Sequence, residues 1–487
     1  MRRPLLLVPL ALLALLPAEA AQPPFSARAP NIPISARDRF YTSDQFSNTV
    51  SVIDPSANRL LGVIRLGDVT PANLSPLYRG QLLVHGMGFS PDRRTLAVVS
   101  IGSNSVTFID TATNRVKHTA YVGRSPHEAF FTPDGREIWV SIRGEDYIAV
   151  LDSRNFHETR RIAVSNGPGM TIFSPDGKYG YVCSSFTPET LIIAVRSKKI
   201  VGRVRQESPF CPDIAATPDG KQVWFTLKDV GRVMAFEARP PFRVLKSIDT
   251  GPITNHVNFA TNENGQFAYV TVGTQNVVKV FRTDDYSQVG AVQVGSLPHG
   301  LWPSGDGSRM YVGLENGDAV VAIDTLSNRV IATIPIGQGP QGVAYVPGAV
   351  PVGDGMANLQ PLGAAGGKVL LTLAGTGRSL VTLFDQGQVQ MLQAAVAGLA
   401  PKAPYILALA QRPDGSGDVE PLASFTTNPA GSAIVNAVGP IRQIVGSRAG
   451  QSRRYLIIAP GSPQAPGRPV QVQSGPPLDA SPTPDTD

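Results

Sequence analysis

Four of the six histidines in this 487-residue chain stand in one recurring setting. His85, His127, His256 and His299 each occupy the same slot of a short pattern, six places before the Pro position of an apolar run that ends in Phe-Ser-Pro-Asp-Gly or a decayed form of it. Gly169, Pro212 and Gln341 hold that slot in the remaining copies. Imidazole is the commonest metal ligand among side chains, so neighbouring copies that each supply one would build a transition-metal or haem-like site. A plainer reading competes. Pro-His-Gly is a recurrent turn of the pattern, and duplication alone carries a turn histidine from copy to copy. That reading ranks ahead of ligation, because no HExxH, CxxC or CxxCH motif sharpens the metal or haem alternative. Other chemistry has still less to stand on. There is no GxSxG nucleophile elbow, and GAAGGK ending at Lys368 departs from a phosphate-binding loop in glycine spacing and in the Val that follows the Lys.

The spacing of the slots dictates the elements that position them. Their intervals are 42, 42, 43, 44, 43 and 42 residues, and a period in the 40s built of short strands predicts a β-propeller. The copy beginning at His85 shows four strands, HGMGFS, TLAVVS, SVTFID and VKHTAYVG, each alternating or β-branched. Asp134-Gly135, Asp176-Gly177, Asp219-Gly220 and Asp306-Gly307 supply hairpin turns. The Asp residues of Asp110–Asn114, Asp54–Asn58 and Asp324–Asn328 read as turn formers rather than catalytic carboxylates. Three orphan strands over 39–67 precede the first slot, and a lone strand follows the last. Together they complete one blade, which closes a seven-bladed ring and leaves no exposed sheet edge.

Strings such as SNSVTFIDTATNRV and RSPHEAFFTPDGREIWVS resemble the YVTN-type repeats of extracytoplasmic propellers, including the YncE-like family, over residues 39–348. The resemblance is specific for fold. The same broad group includes propellers similar to lactonases, to the d-type haem domain of nitrite reductases and to nitrous oxide reductase, so function has to come from the site.

The expected organisation is all-β: a signal peptide at 1–20, an N-terminal linker at 21–38, the propeller at 39–348, a Gly/Pro-rich linker at 349–367, a β-sandwich at 368–473 and a disordered tail at 474–487. Met1-Arg2-Arg3, the run LLLVPLALLALLP and Ala18-Glu19-Ala20 read as a cleavable leader, which implies a periplasmic or secreted protein without a transmembrane segment. Leu399, Pro401 and Tyr405 resemble the tyrosine corner of fibronectin-like and immunoglobulin-like sandwiches, and the sandwich is expected to form a separate core with few contacts to the ring. Charged residues make up 16% of the chain and the net charge of +6 is dispersed, which disfavours nucleic acid as a partner. A monomer is expected.

If strands run from the inside of the ring outward, all seven slots lie at one mouth of the central channel. Cys183 and Cys211 fall at the same mouth between neighbouring blades. In an oxidising compartment a disulfide is expected ahead of paired metal ligands or free thiols, and closing that loop would stabilise by about 3 kcal/mol. An insertion over 68–84 overhangs the channel and contributes Tyr78 and Arg79, while Arg143 enters from a loop after a second strand. The ligand-binding candidates are therefore His85, His127, His256, His299, Gln341, Tyr78, Arg79 and Arg143. The preferred function is a non-enzymatic binding protein whose channel mouth takes a small molecule or a cell-envelope partner. A metal- or haem-binding propeller comes second, with the four histidines as ligands, and a lactonase-like hydrolase or lyase third.

Overall fold

The computed structural model describes residues 32–67, 82–363, 368–385, 390–439, 441 and 453–479. The leader, most of the insertion with Tyr78 and Arg79, and the end of the chain lie outside the described residues. Seven four-stranded antiparallel sheets form the ring. Blades 1 to 6 cover 84–121, 126–163, 168–205, 214–249, 254–293 and 298–335. Blade 7 is composite: Pro340–Val346 pairs with Arg39–Asp44, which continues into Thr49–Asp54 and Arg59–Arg65. The first strand of every blade packs against the first strands of both neighbours, which closes the inner ring.

Burial follows the blades outward. First strands are buried throughout, whereas fourth strands such as Glu158–Ala163 turn mainly one residue inward, here Ile162. Large side chains fill the seams between blades, among them Trp139 against Phe173 and Phe40 against Tyr311, with ring centroids 5.1 and 4.8 Å apart. The turn aspartates behave as short side chains in loops do, by accepting local hydrogen bonds. Asp134 accepts from the Thr132 hydroxyl (2.6 Å) and the Arg136 amide (3.1 Å), Asp110 accepts from the Thr113 amide (2.9 Å), and Gly135 takes a φ of +70°.

The C-terminal region forms one continuous antiparallel sheet with strands in the order 419–426, 404–410, 455–462, 471–479, 368–375, 378–385, 390–396 and 433–439, to which the short pair Ala465–Pro466 is added. The sheet curls until its two end strands lie side by side, and Leu373, Leu383, Leu392, Leu407, Leu409 and Ile458 fill the interior. At the tyrosine corner the Ala400 amide donates to the Tyr405 hydroxyl at 3.1 Å.

Three boundaries differ from the sequence reading. The stretch 349–363 is a strap bound to the ring rather than a free linker. Asn114 donates to the carbonyls of Gly355 and Ala357, Arg39 to that of Asp354, and Gln360 bridges Val63 on an outer strand. The tail begins later than expected, because Gln471–Asp479 is a strand paired with Lys368–Gly375. The C-terminal domain, finally, is no isolated unit. Leu380, Ala395 and Ile434 on its outer face pack against Ile253 and Leu297, Phe384 meets Phe46 at 4.2 Å, and Lys368 pairs with Asp318 at 2.6 Å. Alternation along a half-buried strand marks one apolar face, and here the opposite face also carries apolar residues that cover the ring.

Candidate functional site

Six of the seven first strands enter their blades through a register shift, the exception being the short Ile214–Ala216 of blade 4. In blade 1 it falls between Val84 and Met87, in blade 2 between Pro126 and Ala129, in blade 6 between Pro298 and Leu301. A bulge adds a residue on one strand and re-aims its side chain, and His85, His127 and His299 sit in these bulges. Hydroxyls of the preceding blade's second strand hold the slot backbone: Ser43 donates to the His85 carbonyl, and Thr271 to the His299 carbonyl at 2.8 Å.

His256 departs from the expected register by one residue. The blade 5 shift lies between Thr254 and Val257, which aligns Asn255 with His85 and His299. The Thr226 hydroxyl accordingly donates to the Asn255 carbonyl at 2.7 Å. The cause is the hairpin that follows. Asn262 pairs directly with Gly265, a tighter turn than the Pro-Asp-Gly loops, so counting six back from position 262 stops one residue short of the slot. The channel therefore has two tiers. The upper reads His85, His127, Gly169, Pro212, Asn255, His299 and Gln341. One residue further along each strand, the lower reads Gly86, Glu128, Met170, Asp213, His256, Gly300 and Gly342.

The tiers bring all four histidines together. Ring centroids are 4.4 Å apart for His85 and His127, 6.3 Å for His85 and His299, and 4.5 Å for His256 and His299. All four are buried, as is Gln341. The His127 Nδ1 lies 2.8 Å from the Gly169 carbonyl and the His299 Nδ1 3.2 Å from that of Gln341. A carbonyl only accepts, so Nδ1 carries the proton in both rings and the Nε2 lone pairs are left for a ligand. Two buried imidazole nitrogens, Nδ1 of His85 and Nε2 of His256, have no hydrogen-bond partner.

Burial governs the charge states here. It pushes the His85 pKa down to about 3, helped by Arg143, His256 and Lys228, and lowers His127, His256 and His299 well below the usual histidine range. The imidazoles are neutral, the form that binds metal. Glu128 moves the other way, raised first by burial and then by Asp213, and burial lifts Asp213 to about 7. The 3.5 Å approach of His256 Nδ1 to Asp213 thus joins two groups that burial drives toward neutrality rather than a strong ion pair.

Glu128 was not among the sequence candidates. One potential ligand atom from each of His85, His127 and Glu128 falls within 4.8 Å of the others. The signal lay in a broken repeat: glycine follows the slot at Gly86, Gly300 and Gly342, where a Cβ would press on the neighbouring slot's carbonyl, and blade 2 carries a carboxylate instead. Below the histidines a void of about 30 Å³ is lined by Met87, Glu128, Met170, Asp213, His256 and Trp302 among others, room for one or two waters.

The remaining candidates separate. Tyr78 and Arg79 lie outside the described residues. Arg143 faces the histidines from blade 2, with its Cζ 5.0 Å from the Phe210 ring. Cys183 and Cys211 are joined as a disulfide with Cα atoms 5.9 Å apart, beside Gly169.

A closed seven-bladed ring with a histidine-lined channel and a β-cap defines the class of molecule. The YncE-like beta-propeller family profile matches residues 5–349, and the chain belongs to that family. Among solved structures it is similar to hydrazine synthase of Kuenenia stuttgartiensis (22% identity over 53% of this chain and 88% of that one, TM-score 0.49). It is also similar to a functionally unknown protein of Desulfotomaculum acetoxidans DSM 771 (13%, 63% and 98%, TM-score 0.53) and to dihydro-heme d1 dehydrogenase NirN in complex with DHE (12%, 82% and 75%, TM-score 0.47). The likeness to the Desulfotomaculum protein is one of fold. No curated protein matches the chain.

Proposed function

We propose that this propeller holds a first-row transition-metal ion, zinc or copper(II) by ligand type, on His85, His127 and Glu128 inside its channel. The observation that carries the reading is the convergence of two neutral imidazoles and one carboxyl group, which would give up its proton to the ion, all buried and within 4.8 Å of one another. Nitrogen and oxygen donors of this kind suit such ions, and the Gly169 carbonyl that orients His127 is the outer-sphere partner a metal-binding histidine needs. Tetrahedral ligands at ordinary bond lengths stand about 3.4 Å apart, so side-chain rotations close the remaining distance. His299 and His256 continue the row as alternate ligands.

The cap and the burial of the histidines argue against a large envelope partner at this point of the mouth. The size of the channel void favours an ion over a haem, because ligand pockets run to roughly 300–1,000 Å³. The leader-like N-terminus and the Cys183–Cys211 disulfide support a periplasmic or secreted location.

The test uses the full chain. Protein stripped with a chelator is dialysed against zinc or copper(II) sulfate, desalted and analysed for metal. Retention near one ion per chain is expected, with loss in the His85→Ala/His127→Ala double variant and a melting temperature close to wild type. Failure of the wild type to retain either ion, or equal retention by the variant, overturns the proposal. A Soret band in protein purified from its source would replace the ion with haem.

A further inference from the structure

The histidine row occupies one side of the channel mouth. On the other side the upper tier carries Gly169 and Pro212, neither with a polar side chain, and two cations from flanking blades approach this gap. Arg143 of blade 2 and Lys228 of blade 4 lie over the same Phe210 ring, with Cζ and Nζ 5.0 and 5.9 Å from its centroid, and Arg143 also lies 5.7 Å from Phe186. Among the described residues neither forms an ion pair. Arg143 Nε is buried without a hydrogen-bond partner, and Lys228 is only 9% exposed. Two like charges beside one aromatic ring repel, and burying a cation costs several kcal/mol unless an anion or a dense set of acceptors compensates. Cation–π contact returns about 0.5–2 kcal/mol of that.

A third group points to what the gap receives. Ser185 is 3% exposed and its hydroxyl has no hydrogen-bond partner. It adjoins Phe186, over which Arg143 sits, and comes within 2.8 Å of where a Cβ on Gly169 would stand. Glycine at 169 admits the close approach of this unused hydroxyl and of the Cys211 carbonyl, 2.6 Å from the same point, with two unpaired cations nearby. Glu315 and Asp229 act on Lys228 without pairing with it, and no carboxylate bears on Arg143.

We infer that Arg143, Ser185 and Lys228 form a binding site for a small oxyanion, the phosphate or carboxylate group of a small molecule, held between the two cations beside Phe210. The guanidinium offers a planar fork that matches two oxygens, the ammonium a point charge and the hydroxyl a single donor. The site lies across the mouth from His85, His127 and Glu128 and does not rest on metal binding there.

Inorganic phosphate and succinate, titrated separately into chelator-stripped, desalted full-length protein by calorimetry, test the inference and distinguish the two oxyanion classes. Saturable one-to-one binding of at least one of them is expected. Arg143→Met and Lys228→Met should each weaken it tenfold or more, Arg143→Lys should weaken it by losing the fork, and Ser185→Ala about threefold. The His85→Ala/His127→Ala variant should bind as wild type does, which separates this site from the metal proposal. Absence of saturable binding for both anions overturns the inference. So does unchanged affinity in the conservative Arg143→Lys and Ser185→Ala variants, whose folding is checked by circular dichroism.

Discussion

Gly86 shows how tightly the centre of the ring is built. A Cβ at this position would fall well inside contact distance of the His127 carbonyl and the Glu128 carboxylate, so Gly86→Ala forces neighbouring first strands apart. The expected cost is about 1–3 kcal/mol by denaturant unfolding, with metal retention lost in the same variant. Asp44 makes a different prediction. Its carboxylate is buried, and burial lifts its pKa to about 7 although the hydroxyls of Thr42, Thr49 and Ser51 donate to it and pull the other way. A carboxyl whose folded pKa exceeds its unfolded value of 3.8 binds its proton more tightly when folded. Its contribution to stability is therefore fully present below pH 4 and is lost as pH rises toward 7. Relative to Asp44→Asn, which cannot titrate, the wild type should lose on the order of 1–4 kcal/mol across that window. Chemical denaturation of both proteins from pH 4 to 8 measures the difference, and parallel curves would contradict the assignment.

Among the elements, the disulfide and the cap differ in what they protect. Cys183 lies in the second strand of blade 3 and Cys211 precedes blade 4, a separation of 28 residues, so Cys183→Ser/Cys211→Ser should cost about 3 kcal/mol in global unfolding. The cap is held by a modest apolar contact. Leu380→Asp puts a charge against Ile253 and Leu297 and should loosen the cap without unfolding the ring. Hydrogen exchange is expected to rise over 253–256 and 297–299 while the outer turns at 133–136 and 175–178 stay unchanged, and uniform acceleration would mean that the two parts unfold as one. Element existence was legible in the sequence because strand period and turn chemistry agree in most repeats. Side-chain direction at the slots was not, since a bulge breaks the two-residue alternation on which such a reading depends, and a single tighter hairpin moved His256 off the slot by one. The docking of Leu380, Ala395 and Ile434 was hidden for a related reason: apolar residues on the second face of a strand announce burial without saying against what.

At the scale of the molecule, the ring is closed by strand pairing between residues some 300 positions apart, Phe40 opposite Tyr345 and Thr42 opposite Val343. Phe40 is fully buried in the seam with blade 6. Phe40→Ala should cost about 3–5 kcal/mol and lower the single unfolding transition rather than split it, as calorimetry would reveal. The period alone made this closure legible, because three strands at one end and one at the other have no other partners. Glu128 was legible only as an exception to the repeat, and Ser185 with Arg143 and Lys228 only once blades 2 to 4 stood side by side.

The composite blade also sets an order of assembly. A chain made from its N-terminus leaves the strands at 39–65 without their fourth partner until residues 340–346 exist, and such long-range pairing is slow to form. The strap and then the cap follow residues 340–346 in the chain, so the segment that completes the ring is made before the domain that docks on it. Whatever the channel holds meets an open mouth until the cap docks and a covered one afterwards.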